Sequence, residues 1–356
     1  MVTPVILQTS KPSNCQCVPK HMCIDNNSGA NIKDLVDIRV LDVKCENQSE
    51  ICCLSLRRRP MHKVLLELKD ESEEPASAEI YEPPVFDSCG HEIALTERIV
   101  GGKMVTIGEL PWTTAILFKD QKYWKFSCAG SIIHPQVVLT AGHCVYQYTI
   151  EGLRVRAGDI DNDADFEPYP HQDSVIIEKI VHQHFNPRTL KNDIALLFLK
   201  SPFQIAPNVK IICLPSGNVS SRIQPFCESG GYGVDAIEKP FTGKQLKKNN
   251  IPLVSRTECV YKLRSTRLGG YFNLHRSFIC AGGSERYDTC SGDGGGALVC
   301  PMKNQPNRFI QVGIVSWGVG CGRGIPGVYA NVNYFMKWID DHMKTRNLDT
   351  SLNKYK

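Results

Sequence analysis

The chain contains, in this order, a histidine, an aspartate and a glycine-rich loop. These are features that acyl-transfer chemistry can use. His143 ends an apolar run, and Asp193 begins another. The third feature is the loop Asp288–Cys300, in which four of the five positions from 292 to 296 are glycine. A histidine can act as a general base and an aspartate can orient it, while small residues let backbone N–H groups face a developing oxyanion. A lone histidine is usually structural, but the three features together predict the framework of a catalytic site.

The glycine-rich loop does not fit a phosphate-binding loop. That motif needs a lysine and then a serine or threonine after its last glycine. Here Ala297 and Leu298 follow instead. The flanking cysteines, Cys290 and Cys300, also point away from a nucleotide site.

The composition excludes several classes of protein and indicates a secreted one. The 356 residues are 42% hydrophobic with a formal net charge of +4, which suits about two globular domains and is too mild for nucleic acid. No apolar run is long enough to span a bilayer, so we expect no membrane partner, and the first residues show no convincing signal peptide. The 16 cysteines, few of them at zinc-finger spacings, are typical of disulfides formed in an oxidising compartment. Three Asn-x-Ser glycosylation sequons agree, with unmodified surface asparagines as the alternative: Asn26, Asn47 and Asn218.

The region before residue 98 divides into a cysteine-rich segment and an acidic stretch. Six of the cysteines are Cys15, Cys17, Cys23, Cys45, Cys52 and Cys53. The segment that holds them is too short to bury much core, so disulfides must stabilise it. Spacing alone leaves all fifteen pairings open, and a zinc site that includes His21 is the alternative. The acidic stretch Glu67–Pro84 is poor in apolar residues and predicts a flexible linker. The preceding Arg57–Arg59 is either a protease-sensitive site or a solvated charge run.

From Arg98 onward the sequence changes to short β-branched runs bounded by glycine and proline. This pattern of short runs predicts an all-β sandwich or barrel. The last periodic segment has helical spacing and predicts a terminal amphipathic helix whose apolar stripe packs on the core. The stripe consists of Val332, Phe335, Met336, Ile339 and Met343.

These motifs make residues 98 to 344 resemble the trypsin-like serine protease family. The resemblance implies a mainly β fold, a double β-barrel with a C-terminal helix, and it makes His143 the general base and Asp193 the acid that orients it. The family's loop reads GDSGGP with serine as the nucleophile, but here Gly294 takes that position. Without an Oγ no acyl-enzyme can form, and Ser291 is expected to face away from the base. We therefore expect a pseudoprotease with no active catalytic residue.

The resemblance also implies an activation site. Arg98-Ile99-Val100-Gly101-Gly102 resembles the family's cleavage site, and Asp293 would receive the new amino terminus of Ile99 after cleavage. The backbone N–H groups of Gly292 and Gly294 would form the oxyanion loop.

A specificity pocket is implied as well. Asp288 stands where the family holds the acid that selects Arg or Lys, and Gly318 and Gly327 match the glycines that keep the pocket open. Two interpretations remain open. The pocket could bind a basic side chain of a peptide that is not cleaved, or it could be an inherited pocket without a ligand.

The resemblance implies five disulfides in this region. Because Cys89 precedes Arg98, cleavage there would leave the amino-terminal part tethered. The implied pairs are Cys89–Cys213, Cys128–Cys144, Cys227–Cys300, Cys259–Cys280 and Cys290–Cys321.

No cofactor is expected to be required, but an acidic stretch raises the question of structural calcium. Carboxylate oxygens at this density could hold Ca²⁺, and the family often binds calcium in the corresponding loop. A solvated acidic loop is the alternative. The residues are Asp159, Asp161, Asp163, Asp165 and Glu167.

The amino-terminal pattern C-x-C-V-P…C…C…CC resembles a clip domain. Clip domain, acidic linker and trypsin-like domain without serine together resemble the clip-domain serine protease homologues of arthropod haemolymph, most of all their prophenoloxidase-activating cofactors. The implied clip pairs are Cys15–Cys52, Cys17–Cys45 and Cys23–Cys53. The predicted organisation is a tail 1–14, a clip domain 15–54, a flexible acidic linker 55–88, a tethered activation segment 89–98, a protease-like domain 99–345 and a tail 346–356.

This resemblance implies a function in melanisation and innate immunity. Such a homologue is secreted into haemolymph, is cleaved by an upstream clip-domain protease, and then helps produce active phenoloxidase from prophenoloxidase as a non-catalytic cofactor, often as a homo-oligomer. The alternatives are a residual enzyme and a microbial-recognition or negative-regulatory pseudoprotease. Nothing in the sequence separates an activator from an inhibitor.

Overall fold

A computed structural model shows the fold of the chain. It describes residues 15–19, 37–38, 50–54, 88–92, 108–121, 123–159, 169–231, 247–283, 294–320 and 324–355. For 15–19, 37–38, 50–54 and 247–249 the description is of the backbone alone. The chain divides into two compact units, the smaller of Met1–Gly29 with Asp42–Pro84 and the larger of Ala30–Leu41 with Val85–Lys356.

In the smaller unit two short strands form an antiparallel pair. Strand β1 (Cys15–Pro19) pairs with β3 (Glu50–Leu54), and Cys17 lies opposite Cys52 in the register. The side chains of these residues, and with them the three implied clip disulfides, lie outside the description. The intervening strand β2 (Asp37–Ile38) belongs to the larger unit.

The first half of the larger unit is a closed antiparallel barrel of six strands. Its strands are β4 (Thr113–Asp120), β5 (Tyr123–His134), β6 (Val137–Thr140), β7 (Leu153–Ala157), β8 (Gln172–Val181) and β9 (Ala195–Leu199). They close in the order β4-β5-β6-β9-β8-β7. The side chains of β7 alternate between two environments. Leu153, Val155 and Ala157 are buried while the arginines between them are only half-buried, so one face of the strand fills the core of the barrel.

The second half is another six-stranded barrel. Its strands are β10 (Phe226–Gly231), β11 (Lys247–Val254), β12 (Phe278–Ala281), β13 (Ala297–Met302), β14 (Gln305–Gly318) and β15 (Gly327–Asn331). The order is β13-β10-β11-β12-β15-β14, closed by pairing of β13 with β14, and β2 adds to β14 as a seventh strand. The predicted mainly β, double-barrel fold is confirmed.

Three α-helices lie in the described residues: α1 (Gly142–Val145), α2 (Arg256–Arg264) and α3 (Val332–Lys344). The terminal helix α3 is the one predicted from its apolar spacing. The side chain of Asn331 caps it by accepting a hydrogen bond from the N–H of Tyr334, and the predicted stripe faces the core with only Met336 partly exposed. None of the helices that the structure describes is long and apolar enough to cross a membrane.

Residues 346–355, which the predicted organisation assigns to a C-terminal tail, include a segment that packs against the core. A 3-10 helix spans Thr350–Asn353, and Asn353 is fully buried. Its Nδ2 donates to the carbonyl of Ile133 at 3.0 Å, and its own carbonyl accepts from the N–H of Leu214 at 2.7 Å. These contacts of Asn353 are made by polar atoms, so the sequence has no apolar period that would predict them.

Candidate functional site

The predicted base and acid form a buried pair between two neighbouring strands. His143 lies in α1 directly after β6, and Asp193 lies just before β9. Strands β6 and β9 pair with Thr140 opposite Ala195, which brings together two residues fifty positions apart. His143 is 8% exposed and Asp193 is fully buried.

The Asp193 carboxylate accepts three hydrogen bonds. The Nδ1 of His143 lies 2.7 Å from its Oδ2, and the backbone N–H of His143 donates to its Oδ1 at 2.8 Å. The Oγ of Ser316, on β14 of the other barrel, donates to Oδ2. Because a carboxylate can only accept, Nδ1 carries the proton of this contact, and Nε2 of a neutral ring is then an acceptor. This is the orientation that a general base needs.

On its other side, the ring faces a disulfide. The Nε2 of His143 lies 3.6 Å from the Sγ of Cys144, which is bonded to Cys128. The ligand atoms of these three residues lie within 4.8 Å of one another, a spacing that could hold a metal ion. The Cys128–Cys144 disulfide argues against such a site, because sulfur in a disulfide has no thiolate to offer.

The end of the glycine-rich loop lies where the two barrels meet. The carbonyl of Gly294 accepts from the N–H of Ala129 in the first barrel at 2.8 Å, and Gly295 donates to the carbonyl of Val315 in the second at 2.9 Å. Gly295 has a φ of +79°, and a Cβ there would lie 2.3 Å from both the Ala129 oxygen and the Thr140 hydroxyl. Only glycine fits this position without a shift of its surroundings.

The same loop approaches the histidine. A Cβ at Gly295 would also lie 3.1 Å from the Sγ of Cys144, the atom that faces the His143 ring. Gly294 precedes it and carries no side chain, so it offers no hydroxyl. The loop residues 284–293 lie outside the described residues, and with them the predicted roles of Asp288, Gly292 and Asp293.

The described part of the predicted pocket is the pair of strands β14 and β15. Gly318 ends β14, Gly327 begins β15, and both are buried. Sequence reasoning missed the apolar cluster beside them. Trp317 is fully buried, and the rings of Phe272 and Phe278 meet it edge-on at 6.1 and 5.8 Å. The Ser316-Trp317-Gly318 motif contains this tryptophan, but its sequence does not indicate which rings pack against it.

Four of the eight implied disulfides lie in the described residues. They are Cys89–Cys213, Cys128–Cys144, Cys227–Cys300 and Cys259–Cys280. The pair Cys290–Cys321 falls outside, as do Arg98 and Ile99 of the predicted cleavage site.

The segment around Cys89 is held against the second barrel. Besides the disulfide, the N–H of Gly90 donates to Ile211 at 2.8 Å, and its carbonyl accepts from Phe309 at 2.8 Å. The guanidinium of buried Arg308 donates to the carbonyl of Cys89 at 3.1 Å. Residues 88–92 are therefore anchored by contacts that do not involve the bond that would be cut.

Of the implied calcium ligands, the structure describes Asp159 alone. This carboxylate is buried, and Arg156 donates to it at 3.1 Å. Arg156 also binds Asp173, which raises the pKa of the guanidinium. The described residues thus supply one of the five carboxylates, and the calcium site stays a prediction. Asp161, Asp163, Asp165 and Glu167 lie outside the description.

Of the three sequons, Asn218 is described and exposed, as glycosylation requires. Its Oδ1 accepts from the N–H of Ser220 at 3.3 Å. Asn26 and Asn47 lie outside the described residues.

Comparison with known proteins defines the class to which this fold and site belong. The trypsin family model matches residues 99–339, and a model described as the serine protease clip domain PPAF-2 matches residues 6–54. The chain belongs to the trypsin family and is a clip-domain serine protease homologue.

Individual relatives are more specific. The chain is 43% identical to "Phenoloxidase-activating factor 2" of Galleria mellonella over 75% of this chain and 92% of that protein. It is 32% identical to "Inactive CLIP domain-containing serine protease A8" of Anopheles gambiae over 91% of this chain and 87% of that one. "Inactive CLIP domain-containing serine protease A28" of the same organism is also 32% identical, over 94% and 90% respectively.

Proposed function

We propose that the chain is a secreted, non-catalytic pseudoprotease that acts as a cofactor in prophenoloxidase activation after cleavage following Arg98. The observation that carries the proposal is Gly294, which stands at the nucleophile's position without a side chain while the His143–Asp193 pair is intact. The likeness to a phenoloxidase-activating factor supports the pathway. The likeness to relatives that are named inactive supports the loss of catalysis.

The chemistry explains why an oriented base is not sufficient. Acyl transfer needs a hydroxyl or thiol within hydrogen-bond reach of Nε2. Removing such a nucleophile costs about a million-fold in turnover. The disulfide sulfur of Cys144 carries no proton, and the hydroxyl of Ser316 donates to Asp193 on the opposite side of the ring from Nε2. Neither group replaces the missing nucleophile.

Cleavage would then serve to change the shape of the body rather than to release an enzyme. The Cys89–Cys213 disulfide would keep the amino-terminal part attached after the cut. The proposed partners are the upstream clip-domain protease that makes the cut, prophenoloxidase, and other copies of the cleaved chain.

A cleavage-site variant tests the proposal. Arg98→Ala protein and wild-type protein are treated with the upstream protease and added to prophenoloxidase with its activating protease. The control variant is Arg188→Ala, which removes an exposed arginine elsewhere. We expect enhanced phenoloxidase activity from wild type and Arg188→Ala but not from Arg98→Ala. Full enhancement by uncleaved Arg98→Ala would overturn the requirement for cleavage.

A further inference from the structure

The segment 255–277, which contains α2 and leads to β12, is strongly basic. It holds five lysines and arginines against one acidic residue, Glu258, which gives it a formal charge of +4. The whole chain of 356 residues has the same net charge, so the rest of the chain is neutral on balance. Glu258 itself is paired with Lys262 at 3.2 Å. The positive charge of the protein is therefore concentrated on this segment.

Arg256, at the start of α2, is held against the end of the same segment. Its guanidinium donates to the carbonyl of Leu274, the residue before His275 and Arg276. Arg256 and Arg276 are exposed, and His275 is half-buried. The contact brings the positive groups at the two ends of the segment to one place on the surface.

A further positive group, Lys191, joins them from the loop before β9. The hydroxyl of Ser277 lies 2.8 Å from Nδ1 of His275 and accepts from the N–H of Asn192 at 3.2 Å. Lys191 directly precedes Asn192 and is exposed. The basic cluster is defined as Lys191, Arg256, His275 and Arg276.

The charge of the basic cluster is not balanced within the part of the chain that the structure describes. No carboxylate there pairs with Lys191, Arg256 or Arg276. His275 reports the consequence, since burial, followed by the charges of the other three members, lowers its pKa. Like charges held together repel one another, and a bound anionic group would remove the repulsion. The cluster is therefore suited to an anionic ligand.

Exposed tyrosines accompany the basic cluster. Tyr261 on α2 is 77% exposed, and Tyr271 on the same segment is fully exposed. The guanidinium of Arg276 lies 5.4 Å from the centre of the ring of Tyr334 on α3. Tyrosine and arginine are the residues in which protein–protein interfaces and their hot spots are enriched. This composition favours a protein partner over a polysaccharide, for which positive charge alone would be sufficient.

We propose that the basic cluster, together with Tyr261 and Tyr271, is a docking surface for an acidic segment of a partner protein. The arginines of the cluster bind its carboxylates, because a guanidinium fork matches a carboxylate, and the tyrosines pack against its apolar side chains. The inference is independent of the role in prophenoloxidase activation, since binding can be measured without prophenoloxidase.

Binding of a labelled synthetic peptide rich in glutamate and leucine to the full chain tests the proposal. The test variant is Lys191→Gln/Arg276→Gln, which removes two exposed charges of the cluster. The matched control is Lys119→Gln/Lys200→Gln, which removes two exposed charges of the first barrel. Fluorescence anisotropy at about 0.15 M salt gives the dissociation constants, because at this ionic strength charges far from the ligand are screened.

We expect the dissociation constant to rise at least about ten-fold in the test variant and less than about two-fold in the control variant. Equal weakening in both variants would show that only the net charge matters, and would overturn the proposal. The absence of binding to the wild-type protein would overturn it as well.

A second variant addresses the class of partner and keeps the test decisive if the first does not fold. Tyr261→Ser/Tyr271→Ser changes only exposed side chains. It should weaken binding of the peptide about five-fold or more and leave binding of a heparin fragment of matched charge unchanged. No effect on the peptide, or an equal effect on the peptide and heparin, would overturn the assignment to a protein partner.

Discussion

The Nδ1 of His143 lies 2.7 Å from the Oδ2 of Asp193, and the carboxylate is completed by donors from both barrels. Burying an ionised carboxylate is costly unless donors of this kind satisfy it. The arrangement therefore needs both barrels in register. The His143–Asp193 pair is present, and Gly294, where the resemblance places the nucleophile, has no side chain.

Restoring a hydroxyl at residue 294 should restore measurable hydrolysis. In Gly294→Ser protein cleaved after Arg98, we expect turnover of a chromogenic arginyl substrate to rise at least about a hundred-fold above the wild-type background, because the oriented base is already present. Gly294→Ala is the control, since it adds the Cβ without the hydroxyl. If the serine variant hydrolyses the substrate no faster than the alanine variant, the site lacks other groups that catalysis needs besides the nucleophile.

Gly295 should be essential for stability, in contrast to another glycine with a similar backbone. Gly295 and Gly217 both have positive φ values, +79° and +65°, but a Cβ meets two oxygens at 2.3 Å at the first and nothing within 4 Å at the second. In chemical unfolding we expect Gly217→Ala to cost about 1–2 kcal/mol from the left-handed backbone alone. Gly295→Ala should cost clearly more or prevent folding. Equal losses would show that the contact with Ala129 and Thr140 is relaxed easily.

Helix α3 and an all-β architecture could be predicted from local periodicity. The double barrel and the roles of His143 and Asp193 could be expected only from the resemblance that the sequence motifs carry. The pairing of Asp37–Ile38 with Trp317–Gly318 could not. It depends on the register of segments nearly three hundred residues apart, and a two-residue strand has no period to detect. The burial of Asn353 could not be predicted for a related reason, since its contacts with Ile133 and Leu214 are formed by polar atoms.

Acid should destabilise the protein in part through His182. Its ring packs against Phe335 and Trp338, and burial, followed by the charges of His184 and His342, lowers its pKa to about 4. The unfolded chain then takes up the proton first, so stability present above pH 6.5 is lost as the pH falls toward 4.

The corresponding variant is His182→Phe, which keeps an aromatic ring at this place. Its stability should depend less on pH between 6.5 and 4. The difference in slope should stay below about 1.4 kcal/mol per pH unit, the limit for one proton, because solvent screens a half-buried ring. Unfolding free energies measured across this range provide the check, with exposed His171→Gln as the control. Parallel curves for wild type and His182→Phe would contradict the shift.

The packed C-terminus should contribute to stability. Asn353→Ala leaves the carbonyl of Ile133 without its buried donor, and we expect a loss of about 1–3 kcal/mol in the free energy of unfolding. Ser351→Ala, at an exposed position in the same 3-10 helix, should change it by less than about 0.5 kcal/mol. Similar values for the two variants would mean that the segment is not part of the cooperative fold.

The central claim is that a trypsin-like body without a nucleophile promotes phenoloxidase formation. The most direct measurement applies two assays to one preparation of the protein cut after Arg98: hydrolysis of a chromogenic arginyl substrate, and phenoloxidase activity after addition to prophenoloxidase and its activating protease. We predict no hydrolysis together with enhanced phenoloxidase activity. Hydrolysis that persists after contaminating proteases are inhibited, or the absence of any effect on phenoloxidase, would contradict the account.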